Sequence, residues 1–225
     1  MSGAAIDLYH TLWSPPSRAV RMIGRAVGAQ FNLIECNLMA GEHMKPEYLK
    51  MNPLHTVPTI NDNGFYVWES RAIGHYLINK FAPGTSLIPT DLRRRALYDQ
   101  MLFFDYSLLF SFSTMTRKVL LGAKQLDRSD VKRCHECLRL LNSFLSESEY
   151  LVGDEITMVD YSAAASIAGC QTGMFGISGH PHTQRWFNKV RNEIDGFDEI
   201  NEPGVQMIQA FMSMATPPDP KPSKL

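Results

Sequence analysis

The sequence predicts a small α/β domain followed by an all-helical domain. Strand and helix patterns alternate over the first third of the chain, and only helical patterns follow. The stretch "APGTSLIPTD", rich in proline and glycine, separates these two regions. We therefore predict a first domain over residues 1–82, a linker over 83–91, a helical domain over 92–215 and a disordered tail over 216–225.

The first domain reads as β-α-β followed by β-β-α. "IDLY" predicts a short strand, "SRAVRMIGRAVG" an amphipathic helix and "FNLIECNL" a second strand. In "VPTINDNGFYVW", the turn Asp62-Asn63-Gly64 joins two further strands, and "SRAIGHYLINKF" predicts the closing helix. This order predicts a small mixed sheet backed by helices.

The second domain contains helical patterns with few breakers. They are "LRRRALYDQMLFFDYSLLFSFSTMTRKVLL", "DVKRCHECLRLLNSFL", "TMVDYSAAASIAGC", "TQRWFNKVRN" and "GVQMIQAFMSM". Thr157 and Asp160 have the spacing of a capping box, so we expect a helix to begin there.

Composition indicates an ordinary globular protein rather than a binder of polyanions. The 225 residues are 44% hydrophobic and carry a net charge of −1, which points to neither nucleic acid nor a membrane surface as partner. Neither a secretory signal nor a bilayer-spanning stretch is evident. The four cysteines are therefore expected to be reduced thiols, and the "CHEC" pair lacks the further ligands of a zinc site, so no metal is predicted.

Ser14 stands at the first strand-to-helix turn, in "SPPS". The spacing is that of a redox C-x-x-C motif, but hydroxyls replace the thiols, which disfavours a thiol–disulfide oxidoreductase. Pro15 and Pro16 suit a helix start and remove N–H donors, so we expect the Ser14 hydroxyl to escape capping and donate outward. The alternative is an ordinary N-cap serine.

Two further motifs suit recognition of a peptide. In "HTVPT", a cis bond before Pro58 would turn the Val57 backbone outward to pair with an extended peptide, whereas a trans bond would make this a plain strand start. In "WESRAI", a helix begins next to Glu69 and Ser70. These residues fit the zwitterionic end of an amino acid, or else form a routine helix cap.

Taken together, these motifs resemble a known family. "LWSPPSRAV", "AGEHMKPEYLKMNPLHTVPTI", "DNGFYVWESRAI" and "ITMVDYS" are similar to the cytosolic glutathione S-transferases over nearly the whole chain. The insect delta and epsilon classes are nearest, and Ser-Pro-Pro with "GEHMKPEYLKMNP" favours epsilon. The resemblance implies a thioredoxin-like first domain, a cytoplasmic homodimer and glutathione as co-substrate.

The implied activity is conjugation of glutathione to hydrophobic electrophiles in detoxification. In related proteins the same thiolate also supports peroxide reduction or dehydrochlorination. A non-catalytic carrier of hydrophobic ligands on the same fold is the alternative. By resemblance, Ser14 donates to the glutathione sulfur, and the implied glutathione-binding residues are His43, His55, Thr56, Val57, Pro58, Glu69, Ser70 and Arg71.

The resemblance also implies an acceptor site lined by "FFDYSLLFSFSTMTRKV" of the second domain and by the C-terminal helix. The candidates are Phe110, Phe112, Ser113, Thr114, Arg117, Met207 and Phe211. An arginine stands near the position of Thr114 in several epsilon relatives. Either Arg117 replaces it here or the site is less cationic.

The sequence ends in Ser223-Lys224-Leu225, which matches a peroxisomal address. Peroxisomal import is therefore the alternative to a cytoplasmic location.

Overall fold

The structure, a computed structural model, describes residues 5–171 and 175–218. Within these residues, the strands are β1 (Ile6–His10), β2 (Phe31–Glu35), β3 (Thr59–Asp62) and β4 (Phe65–Trp68). The α-helices are α1 (Pro15–Ala26), α2 (Pro46–Met51), α3 (Ser70–Phe81), α4 (Leu92–Leu120), α5 (Arg128–Phe144), α6 (Met158–Cys170), α7 (Pro181–Glu193) and α8 (Phe197–Met212).

The strands form one mixed sheet in the order β2-β1-β3-β4. β2 is parallel to β1, and β3 and β4 are each antiparallel to the strand before them in this order. Leu8 of β1 lies opposite Leu33 on one side and Ile60 on the other. The prediction of a thioredoxin-like α/β domain followed by an all-helical domain is confirmed.

The central strand fixes where the first helix begins. Ile6, Leu8 and His10 alternate along β1 and are all buried, as expected for the inner face of a strand. α1 packs against α3. The turn between β1 and α1 is therefore held by buried structure at both of its ends.

The helical domain is organised around α6, which is buried along most of its length. Asp160 accepts hydrogen bonds from Thr157 N (2.8 Å), Leu151 N (3.0 Å) and Trp186 Nε1 (2.9 Å). The capping box predicted from the sequence is confirmed. In addition to capping α6, the Asp160 carboxylate ties α6 to α7 and to the preceding loop.

The two domains meet where α1 packs against α6 and α8. The Arg18 side chain is buried and donates to Asn201 Oδ1 (2.9 Å), Leu12 O (3.2 Å) and Ala165 O (2.9 Å). Gly204 of α8 is so close to the first domain that a Cβ there would lie 2.0 Å from Leu12 O. The helical domain thus braces the turn that follows β1.

The described residues include the predicted linker and the first residues of the predicted tail. α3 ends at Phe81 and α4 begins at Leu92, where the Asp91 carboxylate caps the helix by accepting from Arg94 N at 2.9 Å. Thr216, the first residue of the predicted tail, donates its N–H to Lys124 O at 2.9 Å. Residues 219–225, and with them the predicted peroxisomal address, lie outside the described residues.

Candidate active site

Ser14 is the N-cap of α1 and is nearly buried. Its Oγ accepts a hydrogen bond from Ser17 N at 3.3 Å. The expectation that the prolines free this hydroxyl from capping is therefore wrong. Pro15 and Pro16 remove only the first two donors of the helix, and the third N–H remains. Since the capping bond uses an oxygen lone pair, the hydroxyl proton of Ser14 is still available to donate.

The loop between α2 and β3 is built around a buried amide. Asn52 Nδ2 donates to Thr56 O (3.0 Å) and Thr59 Oγ1 (3.0 Å), and Asn52 Oδ1 accepts from Leu54 N (2.9 Å). Tyr48 Oη also donates to Thr56 O, at 2.6 Å. Neither Asn52 nor Tyr48 was singled out from the sequence, because a polar side chain in a loop or a short helix is usually solvated.

Two histidines predicted for the site stand together: His55 belongs to this loop, and His43 precedes α2. The ring centroids of His43 and His55 are 6.1 Å apart. Burial, and next the charge of His55, lower the pKa of His43. His55 has a backbone φ of +47°, and the Val57–Pro58 bond is cis. A non-glycine residue with a positive φ in a loop is often found at a binding site.

The third motif lies at the start of α3. Glu69 has φ +69°, and the Ser70 hydroxyl accepts from Arg71 Nη1 at 3.2 Å. Arg71 Nη2 donates to Asp105 Oδ2 of α4 at 2.5 Å, and its guanidinium lies 5.7 Å from the centroid of the Tyr106 ring. Burial raises the pKa of Asp105, and the charge of Arg71 opposes this rise.

Asp105 is a residue that the sequence analysis missed. A single acidic residue within the long pattern of α4 resembles an ordinary solvated position. In the structure the Asp105 side chain is fully buried and fixes the guanidinium of Arg71. A carboxylate surrounded by aromatic residues, as in "FFDYS", is the only signal in the sequence that could have indicated it.

A cavity of about 670 Å³ lies between the first domain and α4. The predicted acceptor-site residues that line it are Phe110, Phe112, Ser113, Thr114 and Arg117. His43, His55, Thr56 and Val57 of the predicted glutathione set line the same cavity, as does Pro15, next to Ser14. The described lining of the cavity does not include five other predicted residues, which are Ser14, Pro58, Glu69, Ser70 and Arg71.

The C-terminal helix contributes a different residue from those predicted. Ile208 lines the cavity, whereas Met207 and Phe211 do not. Met207 is partly exposed to solvent, and Phe211 packs edge-on against Trp13 with ring centroids 6.0 Å apart. The rotation of α8 about its axis decides which of its residues face the cavity. Amphipathic spacing alone does not distinguish Met207 from its neighbour Ile208. Trp13, which does line the cavity, was also missed.

The cysteines form no reactive centre in the described structure. Cys36, Cys134 and Cys137 are free and buried. Burial raises the pKa of the Cys36 thiol to about 11 and that of Cys134 to about 12, so both resist ionisation at neutral pH. Among the described residues, no three potential metal ligands are clustered, and no helix is long and apolar enough to cross a bilayer.

Family models match both halves of the chain. The model of the glutathione S-transferase N-terminal domain matches residues 4–79, and that of the glutathione S-transferase C-terminal domain matches residues 110–193. The chain belongs to the glutathione S-transferase family. The family uses glutathione as co-substrate, so the activity supported at this coarse level is glutathione transfer.

Solved structures of glutathione S-transferases are similar to this chain over nearly its whole length. A delta-class glutathione transferase of Nilaparvata lugens is 36% identical, with a TM-score of 0.87, over 93% of this chain and 100% of that chain. The Bombyx mori glutathione transferase BmGSTD1 is 37% identical, with a TM-score of 0.88, over 92% of this chain and 98% of that chain.

An epsilon-class structure is also similar. The glutathione S-transferase from the housefly, Musca domestica, is 31% identical, with a TM-score of 0.86, over 93% of this chain and 98% of that chain. Relatives of both classes thus share the fold closely. The insect glutathione S-transferase resemblance is confirmed, and the epsilon class stays a prediction.

Proposed function

We propose that this glutathione S-transferase activates the glutathione thiol through Ser14 and transfers it to hydrophobic electrophiles in detoxification. One observation carries the mechanism: the buried Ser14 caps α1 through its oxygen, and the next residue, Pro15, lines an apolar cavity. A donor at a helix N-terminus favours an anion, and the glutathione thiolate is that anion.

The free energy of one hydrogen bond from Ser14 is large enough to lower the pKa of the bound thiol substantially. A free thiol has a pKa near ~8.5, so only a few per cent is ionised at neutral pH. A hydrogen bond to a charged group contributes about 1.5–3 kcal/mol, which lowers the thiol pKa by roughly one to two units. In the reaction, the thiolate sulfur bonds to the electrophilic carbon. A halide then leaves with the electron pair, or, in an addition, the product takes a proton from water.

The remaining predicted residues would hold the tripeptide in place. His43 and His55 stand together where a glycyl carboxylate would lie, and Val57 offers its backbone to the cysteinyl unit. The exposed carboxylate of Glu69 would receive the γ-glutamyl ammonium group, beside the start of α3. Arg71, held by Asp105, would orient Ser70 for the neighbouring carboxylate.

We also propose a homodimer of the epsilon class, located in the cytoplasm. Support for the dimer comes from an exposed apolar stripe on α4 at helical spacing, formed by Leu92, Phe103, Tyr106 and Phe110. A second copy of the chain is the partner that would cover this stripe by symmetry. The same bound thiolate would also serve peroxide reduction or dehydrochlorination.

The decisive test is a pH titration of bound glutathione by the ultraviolet absorbance of its thiolate. In Ser14→Ala the pKa of the bound thiol should rise towards its free value, and turnover of a chlorodinitrobenzene at neutral pH should fall about tenfold or more. Ser17→Ala is the matched control, because it removes a buried serine hydroxyl one turn further along the same helix.

An unchanged pKa in Ser14→Ala would refute the role of the hydroxyl. Tight binding of hydrophobic compounds without turnover by the wild type would instead favour the carrier alternative.

A further inference from the structure

The α4 wall of the cavity carries one exposed arginine. Arg117 lines the cavity together with Thr114, which lies one turn earlier on the same helix. Its neighbour Lys118 forms salt bridges to Asp127 and Asp130. In contrast, no salt-bridge partner of Arg117 occurs in residues 5–171 and 175–218. A guanidinium at the wall of a cavity is thus available to a ligand.

Arg117 is the one permanently charged side chain among the described residues that line the cavity. None of the described residues that line it is an aspartate or a glutamate. The other titratable groups are His43 and His55, across from α4, and burial lowers the pKa of His43, which favours its neutral form at neutral pH. Most of the wall is apolar, so Arg117 is the charged partner that the described part of the cavity offers to an anionic ligand.

Two of the hydroxyl groups near Arg117 on α4 are already used by the helix and are not available as donors to a ligand. Ser113 Oγ donates to Phe110 O at 3.3 Å, and Thr116 Oγ1 donates to Phe112 O at 3.1 Å. Both protons are therefore occupied by the helix backbone. Thr114 has no such bond among the described residues. Thr114 and Arg117 are then the side-chain donors that α4 offers to a ligand in the cavity.

We infer that the acceptor substrate is an apolar electrophile that carries an anionic group, a carboxylate in the simplest case, bound by Arg117 with help from Thr114. This inference rests on the proposed transferase function and names its substrate class. A guanidinium binds a carboxylate through two parallel hydrogen bonds, which a neutral ester cannot replace. Seven residues separate Phe110 from Arg117, or roughly 10 Å of helix, which is the length of an aryl ring with a short acidic side chain.

A matched pair of electrophiles tests this inference. Ethacrynic acid is an aryl vinyl ketone with a carboxylate, and its methyl ester lacks only the charge. In both, the thiolate sulfur bonds to the terminal alkene carbon, the electron pair moves to the carbonyl oxygen, and the resulting enolate takes a proton from water. The measured quantity is the ratio of kcat/KM for the acid to that for the ester, with glutathione saturating.

In Arg117→Gln this ratio should fall about five- to twentyfold, mainly through the KM of the acid. Arg117→Lys should keep part of the preference, because it keeps the charge but loses the planar fork. Arg93→Gln is the matched control, since Arg93 is an exposed arginine of the same helix, roughly 36 Å away along its axis. The KM for glutathione should be unchanged in all three variants.

An acid-to-ester ratio that is the same in wild type and Arg117→Gln would overturn the inference. So would an equal fall in Arg93→Gln, or a rise in the KM for glutathione with an unchanged ratio. If the wild type turns over neither these compounds nor a chlorodinitrobenzene, the proposed function fails. Calorimetric binding of the saturated analogues, acid and ester, then still decides whether Arg117 selects an anion.

Discussion

Ser14 shares its hydroxyl between the fold and the candidate site. The oxygen accepts the Ser17 N–H and so completes the helix start, while the proton stays available for a ligand. Arg71 divides its guanidinium in the same way, with one nitrogen on buried Asp105 and another on Ser70. At this scale, single side chains connect the stable core to the chemistry.

His10 shows the opposite case, because its hydrogen-bonding capacity is not fully used. The ring is buried at the end of β1, and its Nδ1 has no partner among the described residues. Burial, and next the charge of Arg21, lower the pKa of His10 from 6.5 to about 4. The unfolded chain therefore binds a proton in the window between these two values, and the folded chain does not.

We predict that His10 makes the protein less stable as the pH falls through this window. Between about pH 7.5 and about pH 5, the free energy of unfolding should drop by about 2 kcal/mol on account of His10. Urea unfolding at the two pH values measures this drop, which His10→Asn should reduce by that amount. His135→Asn, at an exposed position, is the control. An equal drop in wild type and His10→Asn would contradict the assignment.

The loop between α2 and β3 is the element that brings the most predicted residues together. It carries His55, Thr56 and Val57, and it has no regular backbone ladder of its own. The Asn52 amide supplies the missing bonds from inside, with Tyr48 as a second support. A loop held by buried side-chain hydrogen bonds is rigid without being helix or strand.

We expect Asn52→Ala to damage this loop and through it the binding of glutathione. Removing the amide leaves Thr56 O with fewer donors and should cost about 1–3 kcal/mol of unfolding free energy. The KM for glutathione should rise several-fold while kcat changes little. Asn79→Ala is the control, because that amide donates to His75 O on the exposed surface of α3. Lost stability with an unchanged KM would make Asn52 structural only.

At the scale of the whole molecule, α4 connects three regions. One of its faces packs into the helical core, another lines the cavity, and the stripe containing Phe103 faces outward. Phe103 is 76% exposed and Leu92 is 83% exposed, values that are unusual for large apolar side chains unless a partner covers them. Phe110 belongs to both the stripe and the cavity wall, so assembly and substrate binding share this helix.

The proposed dimer predicts a clear effect of charge on this stripe. Phe103→Glu should convert a dimer into a monomer in sedimentation velocity, because the carboxylate would be buried in an apolar interface. Leu140→Glu introduces the same charge at a partly exposed leucine of α5 and should leave the dimer intact. A monomeric wild type, or a dimeric Phe103→Glu variant, would refute this interface.

Much of this protein could be predicted because its signals are local. The strand "IDLY", the hairpin turn at Asp62-Asn63-Gly64 and the capping box at Thr157 depend on residues a few positions apart, and each has the predicted structure. The motifs around Ser14, Val57 and Glu69 likewise place their residues at or near the ends of helices and strands.

Only the tertiary structure decided which distant side chains meet. Neither the pairing of Asp105 with Arg71, nor the burial of Asn52, nor the choice of Ile208 over Met207 follows from neighbouring residues. Each depends on how far one helix is rotated and how closely it approaches another, which is set by the packing of the whole core. The sequence by itself therefore determined the fold and the family of this protein, and long-range packing decided the walls and the charge of its cavity.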